Sequence, residues 1–254
     1  MSKEEMKNEV DFYDEMSGAG YNTMGGDKFV MPMLLIAQKS SKIVEDGKVA
    51  LGDFYNSVTQ ESYGPSIELA VVYFESVWQI WKPEMGGFVG RARPGSIPVT
   101  GDVYKGMFTP AEGGGPDNVV DDTWMYFVLI KGRENEGLLM MPVTSSGIKH
   151  AKNWNSFMHN SVTATGKRAP IFYKYWKLTT HKNDFPKGAA WVFGEGSASD
   201  IVAGSIVPKE VYIEHVKPAL LVAPSAVYGE GSVMIDNGQE SQAMIEDNSG
   251  SSKY

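Results

Sequence analysis

The run Ser66-Ile67-Glu68-Leu69-Ala70-Val71-Val72-Tyr73-Phe74-Glu75-Ser76-Val77-Trp78-Gln79-Ile80-Trp81 decides the fold. Ile67, Leu69, Val71 and Tyr73 alternate with Glu68, Ala70 and Val72, and Val77 to Trp81 continues in β-forming residues, so the run predicts a strand. Its length predicts a bend or bulge. Downstream, Thr123 to Lys131 is almost continuously apolar, as in a strand buried on both faces. Gly132 to Gly137 reads as a hairpin turn leading into a strand from Leu138 to Val143. At Ser145 the period changes. Ile148, Ala151, Trp154/Asn155 and Met158 fall at helical spacing as far as Asn160, with Ser145 or Ser146 as N-cap. Asn160 to Pro170 is loop, and strands follow at Ile171–Thr180 and Ala189–Gly194. Pro208 opens a short helix ending near Lys217. Upstream, Phe29–Ala37 is an extended apolar segment in which Pro32 argues against a central strand. Asp53–Thr59 is a short strand. Arg91–Pro98 and Pro110–Asp117 are turn-rich, with Gly113-Gly114-Gly115-Pro116 the strongest loop signal.

Three strands, a helix and two strands follow one another through the middle of the chain. That order predicts a mainly β (α+β) protein: an elaborated OB-fold-like five-stranded barrel, with one helix between strands three and four and long loop insertions. We expect a mobile acidic segment at 1–27, a single β-rich domain at 28–228 and a disordered acidic tail at 229–254.

Charge is distributed unevenly. The chain has 254 residues and a net charge of −8, which argues against coating duplex DNA through overall charge. Acids concentrate at both ends, with six between Met1 and Glu15 and five between Glu230 and Tyr254. Gly137 to Asn183 contains no Asp or Glu, yet carries seven Lys or Arg residues and six aromatic residues. Such a stretch is a candidate nucleic-acid surface, because cations follow phosphates and flat rings stack on bases. The candidate residues within it are Lys149 and Lys152 on the helix, Lys167 and Arg168 in the loop, and the strand Tyr173-Lys174-Tyr175-Trp176-Lys177. Trp154 sits on the apolar stripe of the helix and reads as core. In the strand, one face carries Tyr173, Tyr175 and Lys177 and the other Phe172, Lys174 and Trp176. Only one face can meet a ligand if the other packs on a core. Trp78, Trp81 and Lys82 end the first long strand, Arg91 and Arg93 follow in a Gly/Pro loop, and Lys131 and Arg133 flank the hairpin at Gly132. All seven join the candidate set, although core packing suits the tryptophans better and turn solubility explains the hairpin cations.

Other chemistry finds little footing. The chain has no cysteine, which excludes disulfides, thiolate catalysis and cysteine zinc sites. No phosphate loop of the Gly-x-x-x-x-Gly-Lys-Ser/Thr type and no Gly-x-Ser-x-Gly elbow occurs. His150 and His159 are too far apart for a pair on one helical face, and His181 and His215 have no partner spacing. We expect no cofactor, no metal, no membrane span or secretory signal, and a cytoplasmic setting.

Three stretches resemble proteins of tailed bacteriophages: Leu51-Gly52-Asp53-Phe54-Tyr55-Asn56-Ser57, Trp78-Gln79-Ile80-Trp81-Lys82, and Pro170 to Thr179. The chain resembles a phage single-stranded DNA-binding protein of the OB-fold type over roughly residues 29–195. The resemblance implies non-enzymatic binding of single-stranded DNA in replication or recombination. It also implies a C-terminal tail that offers acids and a terminal aromatic residue to replication partners. Glu240, Glu246, Asp247 and Tyr254 match that pattern, whereas Asn248 to Lys253 departs from it with no acid and one lysine. Two other functions fit the sequence. A virion structural or assembly protein suits the β-rich pattern and Gly-rich loops. A metal-dependent nuclease would use Asp121 and Asp122.

Overall fold

The computed structural model describes residues 31–82, 87–97, 99, 106–108, 118–185, 188–194 and 200–228. The acidic ends at 1–27 and 229–254 and the loop predicted at Pro110–Asp117 lie outside the described residues.

The run that opened the sequence analysis forms β4 (Ser66–Trp81). Its central neighbour is β7 (Asn118–Ile130), antiparallel to it. The expected irregularity falls between Val71 and Tyr73, where the register shifts. Val71 faces the main core with Ile67 and Leu69. Val72 and Tyr73 then both turn to the opposite side. A bulge inserts one residue and reverses the alternation beyond it, so Phe74 packs on the same core as Val71.

β7 also pairs with β8 (Leu139–Thr144) and with β6 (Gly106–Phe108). On its other side β4 pairs with β9 (Lys174–Phe185) near its start and with β5 (Phe88–Ala92) near its end. β9 continues beyond β4 to pair with β10 (Gly188–Phe193) and carries β11 (Ile201–Ile206) along its first half. The Thr179 N–H donates to the Asp200 carbonyl, and the Gly194 N–H donates to the Thr179 carbonyl. β10 and β11 therefore lie along the same edge of β9. The result is one curled eight-stranded antiparallel sheet with the form of a half-barrel. A second sheet, β1 (Leu34–Ile36), β2 (Phe54–Asn56) and β3 (Ser62–Gly64), joins it where Met33 bridges Met140.

Both faces of the sheet are covered. α1 (Lys42–Glu45) is a single turn beyond β1. α2 (Ser146–His159) buries Ile148, Ala151, Trp154 and Met158 against one face, where Trp154 stacks on Tyr126 with centroids 4.8 Å apart. A continuous C-terminal helical segment covers the other face: α3 (Lys209–Val211), a π turn at Tyr212–Val216, and α4 (Lys217–Tyr228). This two-sided cover explains why Met125 to Ile130 are all buried and why the run reads as unbroken apolar sequence.

The mainly β expectation holds. Among the described residues β8 and β10 do not pair, so the sheet stays open there as a half-barrel. Three further strands, β5, β6 and β11, extend it. The expected hairpin is present, with a 3-10 turn at Glu134–Glu136 between Gly132 and Gly137, both at positive φ. Ser145 does precede α2, but with φ 43° it makes no side-chain capping bond. N-cap residues normally occupy the extended region, from which the hydroxyl can reach the first-turn N–H groups.

Candidate nucleic-acid interface

The sheet opening creates a cleft of about 1150 Å³. β1 and the following turn wall it on one side. The end of β8 with the first residues of α2, β10, and the ends of β4 and β5 form the rest. Its rings are Tyr55, Trp81, Phe88, Trp191 and Phe193, its cations are Lys39 and Arg91, and among the described residues no carboxylate lines it.

Backbone pairing places these side chains. Gln79 lies opposite Arg91 across the β4–β5 ladder, and Trp81 lies opposite Phe88. Gln79 and Trp81 are two residues apart, so they share a face with Arg91. Trp81 meets Phe88 edge-on at 5.4 Å, and the Arg91 guanidinium sits 5.4 Å from the same ring. Arg91 Nη1 also donates to the Val227 carbonyl at 2.7 Å, near the end of α4. Burial pushes the Arg91 pKa down from its usual value. Across the cleft, β10 is held to the segment after β1 by a reciprocal pair. The Trp191 N–H donates to Gln38 Oε1, and Gln38 Nε2 donates to the Trp191 carbonyl, both at 2.8 Å. The Trp191 ring covers Gly52, where an added Cβ would lie 2.4 Å from a ring carbon.

Of the residues singled out in the sequence, Trp81 and Arg91 line this cleft. The proposed stacking strand is corrected. Trp176 is 3% exposed in the core with Leu178 and Trp154. Tyr175 is buried on the opposite face among Ala70, Val72 and Val216, and its hydroxyl donates to Glu134 Oε1 at 2.7 Å. Neither ring can stack on a base, because the strand is covered on both sides. Tyr173 is half-buried with Lys174 Nζ 5.8 Å from its ring, while Lys177 is exposed opposite Glu68 in the ladder. Trp78 packs with Ile80, Ala92 and Val120, as core packing predicts.

The hairpin cations stand in exposed ion pairs. Lys131 pairs with Glu68 at 2.6 Å, and its Nζ lies 5.4 Å from the Tyr175 ring. Arg133 pairs with Glu61 and with Glu136, and lies over Tyr63. Their charge is already matched by acids from β4 and the β2–β3 turn. Acids from outside the acid-free stretch reach parts of it, as Glu134 does at Tyr175 and Asp122 at Lys152. Lys149 and Lys152 are exposed on α2, with Lys152 acting on Asp122. Lys167 and Arg168 are exposed in the loop before β9, and Arg168 rims a small hollow of about 220 Å³ beside Phe74 and His159. Lys82 and Arg93 are exposed near β5, and Arg93 takes part in an interaction of its own. These six cations lie outside the cleft lining. Glu240, Glu246, Asp247 and Tyr254 lie outside the described residues.

Tyr55, Phe88, Trp191 and Lys39 were not singled out in the sequence. They come from four separate segments, and only the fold brings them together. Asp121 and Asp122 are consecutive in β7 and so point to opposite faces. Burial raises the pKa of both, with Ser76 donating to Asp122 at 3.3 Å. Among the described residues, no three His, Asp or Glu side chains gather as a metal site. No helix among them is long and apolar enough to cross a membrane.

Fold and cleft define a mainly β protein in which a curled antiparallel sheet opens onto an aromatic, cation-bearing groove. The chain belongs to the Pam3 phage gp34-like protein family, whose sequence model matches residues 2–217. It is a phage protein. No curated protein and no solved structure matches it.

Proposed function

We propose that this protein binds single-stranded DNA in the cleft, without catalysing a reaction on it, in phage replication or recombination. One observation carries the reading: the cleft gathers Tyr55, Trp81, Phe88 and Trp191 with Lys39 and Arg91, and no carboxylate joins them among the described residues. Stacking rings and phosphate-following cations are what a single-strand groove requires. An OB-type architecture is part of the proposal. The β4–β7–β8 meander, helix α2 and the β9–β10 hairpin follow that fold's element order, and OB proteins bind oligonucleotides on a comparable sheet face and its flanking loops.

Titration with oligo-thymidine while following tryptophan fluorescence tests the reading. Quenching that weakens with added salt, with single strands preferred over duplex, is the expected result. Absence of both quenching and salt-sensitive binding at low ionic strength overturns it. A virion structural or assembly role is favoured by a different observation, the exposed Ile213, Leu221 and Val222 of the C-terminal helical segment. Recovery of the chain in purified particles would support that second reading.

A further inference from the structure

Two buried donors at the β4–β5 end of the cleft have no hydrogen-bond partner among the described residues: Arg91 Nε and Trp81 Nε1. They belong to side chains that flank the same Phe88 ring. Both side chains share a sheet face with Gln79, and all four residues line the cleft. A buried donor without an acceptor is destabilising, and a desolvated guanidinium without a counter-charge is more so. Arg133 and Lys131 show how cations elsewhere in this molecule are treated, since each has a Glu partner. Among the described residues, Arg91 donates to the neutral Val227 carbonyl.

We propose that this end of the cleft is a phosphate-binding point, where the Arg91 guanidinium and the Trp81 indole N–H hold phosphate oxygens. The Phe88 ring lies beside it to receive the attached nucleoside. Arg suits the task because its planar fork can keep one N–H on Val227 and direct others at an oxyanion. The proposal rests on the single-strand reading for its natural ligand. The phosphate belongs either to an internal phosphodiester or to a strand end.

The experiment uses the full chain labelled with ¹⁵N and follows the Trp81 indole N–H resonance, identified by its loss in Trp81→Phe. Inorganic phosphate, then oligo-thymidine with a 5′-hydroxyl or a 5′-phosphate, is added at constant ionic strength. The Trp81 signal is expected to move and saturate with each, while those of buried Trp154 and Trp176 stay in place. Arg91→Gln should abolish the movement with phosphate. It should weaken oligo-thymidine binding about tenfold and lower the slope of log affinity against log salt by about one. Trp81→Phe keeps a ring and should weaken binding several-fold with the slope unchanged. Tighter binding of the 5′-phosphorylated strand assigns the point to a strand end, and equal binding to an internal phosphodiester.

If oligo-thymidine binds but the indole signal stays still and Arg91→Gln keeps the full slope, the phosphate point is wrong and the single-strand reading survives. If phosphate moves the signal but oligo-thymidine does not bind, the reverse holds. Movement that chloride reproduces overturns the phosphate point. Should Arg91→Gln unfold through loss of the Val227 bond, the indole titration of the unsubstituted chain decides.

Discussion

Trp176 fills the core between α2 and the sheet, so Trp176→Ala removes packing that the rigid surroundings cannot replace. We expect a loss of about 3–5 kcal/mol in urea unfolding, with oligo-thymidine affinity unchanged for the folded protein. Phe88→Ala should do the opposite. That ring is 47% exposed, so stability should barely move, while affinity falls by about 1–3 kcal/mol if the ring stacks on a base. Gly52→Ala combines a positive φ of 85° with a Cβ driven into the Trp191 ring. It should cost on the order of 2 kcal/mol and shift tryptophan emission as Trp191 is displaced. Residue type alone could not separate these cases. An aromatic side chain in a strand serves core and ligand equally well, and which face is free depends on a helix that packs from elsewhere in the chain.

At the scale of elements, the β9 strand is tied to the β7–β8 hairpin by the Tyr175–Glu134 bond. Burial by itself would raise the Glu134 pKa, but the Tyr175 hydroxyl and nearby backbone N–H groups outweigh it and hold the carboxyl below its usual 4.5. A lowered folded pKa contributes stability that is complete above about pH 4.5 and is lost as pH falls through the folded value. Tyr175→Phe should therefore cost about 1 kcal/mol near neutrality and flatten the acid limb of a stability–pH curve. The Ser66–Trp81 run was legible to both ends because its residues carry the strand pattern themselves. β11 was not, since Val202, Ala203, Ser205 and Ile206 are exposed and leave no alternation to read. β5 was obscured by Gly90 and the turn-forming residues after it. The C-terminal helix was expected to be short, from Pro208 to about Lys217. It continues instead through the π turn into α4, with Pro218 just after that turn and Pro224 inside the helix.

For the whole molecule, overall charge and cleft charge pull in opposite directions. The net charge of −8 repels a polyanion at long range, while Lys39 and Arg91 attract it at contact. Truncation after Tyr228 removes five carboxylates and one lysine, taking the net charge from −8 to −4. That chain should bind oligo-thymidine more tightly at low salt, and the advantage should shrink as the Debye length falls below about 10 Å. Fluorescence titrations at two ionic strengths would measure it. The overall β class was readable because period-two alternation is local. The cleft was not, because it exists only where β8 and β10 fail to pair, and that gap is a property of the whole sheet's curl.

The bond from Arg91 to the Val227 carbonyl has a practical use. It places the last turn of α4 beside the proposed phosphate point, and Ser225 in that turn is exposed. The chain has no cysteine, so Ser225→Cys would create a unique thiol for attaching an environment-sensitive dye. Such a labelled protein would act as an optical sensor, its emission reporting occupancy of the groove without radiolabelled or fluorescent DNA.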